Sequence, residues 1–211
     1  MLDVKSYVEQ LNKIELGLLN NYLINIKFAN KLNEDELQYL LITIDKNKNI
    51  RFQAYICVIK NIIDYYIRQY VKSDIAQYLY KNIELFSKFS NYYNFSLKNE
   101  IIDNIFMSVS KADLMSVLEA FHNYFLNTEI VEKNGIFKFE NSKINSKNTG
   151  SVYTKSNISN EICKKAINNK FSQINTIDNL KLLDFGAGTG RFYFEALEIL
   201  ESTMSKSKQD L

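Results

Sequence analysis

The 211 residues, 46% hydrophobic and 24% charged, suffice for one core or somewhat more, and the balance is that of a globular protein rather than a disordered or fibrous one. A formal charge of +2 is too small to mark a nucleic-acid binder by itself. Cys57 and Cys163 lie far apart without metal-ligand spacing, and Met1–Ser6 lacks the apolar run of a signal peptide. The most apolar stretch, 50–71, is interrupted by Lys60, Asp64 and Arg68, so a reduced cytoplasmic protein with no membrane span is expected.

Helical periodicity dominates to about residue 128. Val8, Leu11, Ile14, Leu18, Leu19, Tyr22, Leu23 and Ile26 share one face of a helix over 4–30, with a break expected near Gly17. Asn33 and Glu36 form a capping-box pattern that would open a helix to about Asp45. The segment 50–71 is apolar nearly all round, which predicts a central helix buried by its neighbours. Further helices are predicted from Ser73 to about Phe89, over 97–109 and over 111–126. The last has an apolar face of Leu114, Val117, Leu118, Phe121, Tyr124 and Phe125.

The many tyrosines and phenylalanines recur at helical spacing and read as core rather than as a base-stacking platform. His122, the only histidine, lies beside Phe121 with no nucleophile pattern around it. Charges nearly balance through residue 140, without a basic stripe.

At residue 129 the period changes. Ile130-Val131, Asn134-Gly135 and Ile136 to Phe139 predict a β-hairpin. The polar segment 141–148, with Lys143 and Lys147 and no acid, predicts a linker. The expected divisions are a helical domain over 1–128, the hairpin and linker over 129–149, and a different unit over 150–211.

That last unit is organised by Lys181-Leu-Leu-Asp184-Phe-Gly186-Ala-Gly188-Thr-Gly190-Arg-Phe192. Three of the six glycines fall within five residues, which marks a backbone geometry that side chains would obstruct. A buried strand at Leu182-Leu183, a tight turn and a helix from Arg191 to Leu200 are predicted. Ligands of α/β sheets bind where such a strand ends and such a helix begins. The acid stands two residues before the first glycine, whereas a nicotinamide-binding turn carries its acid roughly 20 residues later.

Upstream lie Gly150-Ser-Val-Tyr153-Thr154-Lys155 and a helix-compatible run over 157–167. In order and spacing the two motifs resemble the adenine-specific DNA methyltransferases of type I and type IIG restriction–modification systems. There a Gly-x-Tyr-Tyr-Thr-Pro-like motif precedes an Asp-Pro-Ala-Cys-Gly-Ser-Gly-like cofactor loop. The resemblance spans about residues 148–200. It departs at Val152, at Lys155 in place of proline, and at Phe185-Gly186 in place of Pro-Ala.

The resemblance implies a mostly α chain: a helical region followed by the first βα unit of an incomplete Rossmann-like methyltransferase domain that binds S-adenosylmethionine. It implies that Asp184, Gly186, Gly188 and Gly190 line the methionine end of the cofactor. Tyr153 and Thr154 would close over it, and Phe192 matches an aromatic that follows the loop. In the family the target adenine is flipped out of DNA and oriented by an Asn/Asp-Pro-Pro-Tyr/Phe motif.

The chain contains no proline, where about ten would be average, so that motif is missing from it. The expectation is a truncated or split methyltransferase that transfers no methyl group as this chain alone and holds the cofactor weakly or not at all. Its partners would be DNA, through the complete enzyme, and a second polypeptide carrying the rest of the domain. Three other readings stay open: a non-catalytic helical interaction module with a vestigial cofactor loop, a methyltransferase of another substrate class, and an unrelated fold. A fragment would leave Leu182, Leu183, Phe192, Phe194 and Leu197 without a sheet to pack on; a module would bury them.

Overall fold

The structure, a computed structural model, describes residues 3–28, 33, 49–71, 93–133, 136–142, 154–171 and 190–207. The chain divides into two compact units, Met1–Asn148 and Thr149–Leu211. Among the described residues it is mostly helical, with one small antiparallel sheet. None of the described helices is long and apolar enough to cross a membrane.

The first unit is built on α1 (Val4–Phe28) and α2 (Ile50–Tyr70). α1 runs through Gly17 without the expected break. One helical glycine is unfavourable by about 1 kcal/mol relative to alanine. Leu11, Leu19 and Leu23, all fully buried on either side of it, outweigh that penalty.

α2 is buried on most of its surface, as its composition predicts, and packs against α1, against α3 (Asn99–Phe106) and against α4 (Lys111–Asn127). Asn49 starts it: its side-chain oxygen accepts from the Phe52 N–H at 2.9 Å. Two tyrosines tie its last turns to the neighbouring backbone. Tyr65 donates to the Phe106 carbonyl at 2.7 Å and Tyr70 to the Val109 carbonyl at 2.8 Å. α4 is opened by Ser110, whose hydroxyl accepts from the Asp113 N–H and donates to the Asp113 carboxylate. Its predicted face is found: Leu114, Val117, Leu118 and Phe121 are buried, with Tyr124 and Phe125 half-buried at its end.

α4 leads directly into β1 (Thr128–Lys133), which pairs antiparallel with β2 (Ile136–Asn141) in a register that sets Thr128 opposite Asn141 and Lys133 opposite Ile136. That leaves a two-residue connection, the length an Asn-Gly hairpin requires. The hairpin lies within the first unit. Ile130 and Phe137 are buried in one cluster with Leu19 and Leu23 of α1, Ile50 and Ala54 of α2, and Tyr93. A strand pair this small has no independent stability and needs such a face to pack on.

The second unit contains α5 (Ser156–Phe171) and α6 (Arg191–Ser207), which pack on each other. Ser159, Cys163 and Ile167, spaced four apart, are the buried face of α5, and Phe194, Ala196, Leu197, Ile199 and Leu200 are buried on α6. The predicted helices 34–45 and 73–89, the linker 143–148 and the strand at Leu182-Leu183 lie outside the described residues.

Candidate functional site

Of the residues singled out in the second unit, Thr154, Gly190 and Phe192 are described; Tyr153, Asp184, Gly186 and Gly188 lie outside the described residues. Gly190 stands at the threshold of α6. Its carbonyl accepts the first helical bond, from the Phe194 N–H at 3.0 Å, and its φ is +82°. A β-carbon there would meet the Phe194 ring at 3.5 Å, an ordinary contact, so it is the left-handed dihedral that selects glycine. Gly190 has no side chain of its own to cap the helix, whose N-terminal end carries a partial positive charge. Such a terminus suits a carboxylate or phosphate.

Thr154 is half-buried and directly precedes α5. The next residue, Lys155, supplies the carbonyl that starts this helix, accepting from the N–H groups of Ile158 and Ser159 at 3.0 Å each. Lysine here leaves the backbone free to make the turn, so the departure from the family's proline does not prevent a helix from following.

The two helices are joined by a polar clamp that the sequence reading does not contain. Asn160 donates its side-chain N–H to Glu195 Oε2 at 2.7 Å, and the Ser159 hydroxyl reaches Glu195 Oε1 at 3.5 Å. The Cys163 thiol donates to the Phe192 carbonyl at 3.4 Å. Thr154 precedes Ser159, and Gly190 precedes Glu195, by the same five residues, so each motif residue opens a helix whose early turns the clamp fixes. Only the four-residue spacing of Ser159, Cys163 and Ile167 announces this face in the sequence. Phe192 itself is half-buried.

The first unit holds a second concentration of polar chemistry. Arg51, 7% exposed, donates from Nε to Glu15 Oε1 at 3.2 Å, from Nη2 to the Thr128 hydroxyl at 2.8 Å, and from Nη1 to the Thr128 carbonyl. Its guanidinium lies over the rings of Phe125 and Phe139 at 4.7 and 4.6 Å. Glu15 is fully buried, and burial pushes its carboxyl up to about 7 against the pull of Arg51. Close by in sequence on the same helices, Tyr55 and His122 share a 2.7 Å hydrogen bond at Nδ1, and burial lowers the His122 pKa. The hydroxyl can donate or accept, so the bond suits either tautomer of a neutral imidazole. Tyr55 also stacks on Phe125 at 4.1 Å. These groups are enclosed by the core and bond to one another across α1, α2, α4 and β1, which is an arrangement that fixes packing.

No family model, curated protein or solved structure matches the chain.

Proposed function

We propose that the chain is the cofactor-binding part of an S-adenosylmethionine-dependent, adenine-specific DNA methyltransferase of restriction–modification type, with Thr149–Leu211 as the beginning of a Rossmann-like catalytic domain. The observation that carries this reading is the left-handed glycine at the start of α6. The last glycine of the Asp184–Gly190 motif takes a left-handed dihedral, and its carbonyl accepts the Phe194 N–H at the start of α6. That fits the amino-acid end of the cofactor, because a carboxylate there meets backbone N–H groups and the positive end of a helix. Asp184, Gly186, Gly188 and Gly190 would hold that end, Tyr153 and Thr154 would cover it, and Phe192 would flank it. The cofactor supplies an electrophilic methyl group; the chain's own residues bind and orient it.

The groups that orient the adenine amine lie outside these 211 residues on this reading, because an Asn/Asp-Pro-Pro-Tyr/Phe motif needs prolines that the chain does not have. DNA and a second polypeptide, or further sequence, are the implied partners. The test is to translate the DNA that follows codon 211 in all frames, co-express any Asn/Asp-Pro-Pro-Tyr/Phe segment with this chain, and follow tritiated methyl transfer to adenine in genomic DNA. Transfer that requires both pieces and disappears with Asp184→Ala supports the proposal. Absence of such a segment, or methylation by the 211-residue chain alone, sinks it.

One observation favours a second reading, a non-catalytic helical interaction module. Phe194 and Leu197 are each only 4% exposed, where a fragment lacking its sheet would expose them. Limited proteolysis separates the readings: rapid cutting after about residue 140 supports the fragment, and resistance through Leu200 supports the module.

A further inference from the structure

We propose that the cleft between the middle of α2 and the segment leading into α3 binds the oxyanion group of a small molecule, a phosphate or a carboxylate, with Lys60 as its counter-ion. The cleft has a volume of about 480 Å³. One wall is a single face of α2 that carries Lys60, Asn61 and Asp64; the other is the stretch 94–99, with Asn94, Ser96 and Asn99. Asn94 takes a left-handed φ of +54°, which turns the chain into this wall.

Lys60 is half-buried, and no carboxylate among the described residues pairs with it. Asp64, four residues on, is engaged elsewhere: its Oδ2 accepts from Arg68 Nε at 2.8 Å. Arg68 in turn holds Asp103 through two bonds of 3.0 and 2.7 Å. The acid that lines the cleft is therefore neutralised from behind, while the ammonium in front has no counter-ion among the described residues. A partly desolvated charge in that state gains from any anion that reaches it.

Two further features face the same space. Asn61 is nine-tenths buried and donates through Nδ2 to the Cys57 carbonyl at 2.8 Å, so that donor is already engaged by the protein. α3 starts on the opposite wall at Asn99; Lys98 before it makes no side-chain capping bond, and its carbonyl takes the Ile101 N–H at 3.1 Å. The amides of Asn94 and Asn99 and the Ser96 hydroxyl can either donate or accept, so it is the Lys60 ammonium, beside an Asp64 already held by Arg68, that favours an oxyanion over a cation. The volume exceeds that of a bare phosphate, so the group would be carried on a larger body lying against Phe95 and Leu97. Covalent capture by Cys57 is not part of the proposal, because burial pushes its thiol up to about 11.

The test uses the full chain at constant ionic strength, titrated separately with inorganic phosphate and with succinate against a chloride baseline. At ten times the dissociation constant the binding anion should raise the melting temperature by about 3 °C. Lys60→Gln should abolish the rise, Lys60→Arg should keep it, and Lys5→Gln on the exposed surface of α1 should leave it intact. A response to phosphate alone assigns a phosphorylated ligand, and a response to succinate alone a carboxylate. In the unsubstituted chain, the side-chain amide NMR signals of Asn61, Asn94 and Asn99 should shift with the same midpoint. No shift with either anion, or an equal rise in Lys60→Gln, overturns the proposal.

Discussion

Arg51 shows what a single buried side chain can hold together. Its forked donors reach Glu15 on α1 and both oxygens of Thr128 at the start of β1, while its flat faces meet Phe125 and Phe139. Lysine has neither the fork nor the plane, so Arg51→Lys should destabilise the first unit by about 3 kcal/mol, measured by urea unfolding. Its partner carries a pH dependence of definite sign. The Glu15 carboxyl titrates near 7 in the fold, against an ordinary value of 4.5, because burial disfavours its charge more than Arg51 restores it. A raised native pKa means that the fold binds the proton more tightly than the unfolded chain does. Its stabilising effect is complete below about 4.5 and lost as pH rises through about 7. The stability of the natural chain minus that of Glu15→Gln should thus fall between pH 4 and pH 8, by on the order of 3 kcal/mol. Parallel curves for the two proteins would show that Glu15 does not titrate in this interval.

Two glycines at helix positions have opposite expected substitution effects. Gly17 is inside α1, and a β-carbon added there meets nothing within 4 Å. Gly17→Ala should stabilise the first unit by about 1 kcal/mol, through helix propensity and a less free unfolded chain. Gly190 has a φ of +82°, so Gly190→Ala should destabilise α6 by about 1–2 kcal/mol even though the space for a methyl exists. Helical circular dichroism during thermal melting of the two variants checks both signs. The same contrast explains what was legible in the sequence. Apolar spacing locates α1, α2 and α4, and Asn134-Gly135 locates the hairpin, because these signals are local. The continuity of α1 through Gly17 is not local, since it depends on burial of Leu19 and Leu23 against α2 and the hairpin. The start of α4 at Ser110 becomes evident only from the bonds that Ser110 and Asp113 make. In the candidate site, glycine at 190 announces its dihedral, whereas the grip of Glu195 on Asn160 and Ser159 joins residues 35 and 36 positions apart, which no local pattern encodes.

At the scale of the whole molecule, the two units differ in how much core they can supply. Met1–Asn148 has the length of an ordinary domain, for which about two thirds of the unfolded chain's surface becomes buried. It draws fully buried side chains from each of its described helices: Leu11, Leu19 and Leu23 from α1, Tyr66 and Ile62 from α2, Ile102 and Phe106 from α3, Leu114 and Phe121 from α4. Thr149–Leu211 is less than half as long, in the range where a single core is marginal. Its α5 leaves Ile158 and Ile162, one turn apart, 48% and 50% exposed. The polypeptide 1–148 expressed alone should therefore fold, with a single cooperative melt and a structured near-ultraviolet tyrosine spectrum. The polypeptide 149–211 alone should melt broadly or bind a hydrophobic dye at room temperature. A non-cooperative melt of 1–148 would mean that its core is incomplete without the remaining residues. A sharp melt of 149–211 would move the balance from a fragment of a larger catalytic domain to a self-sufficient module, because only a unit with its own closed core unfolds in one step at that length.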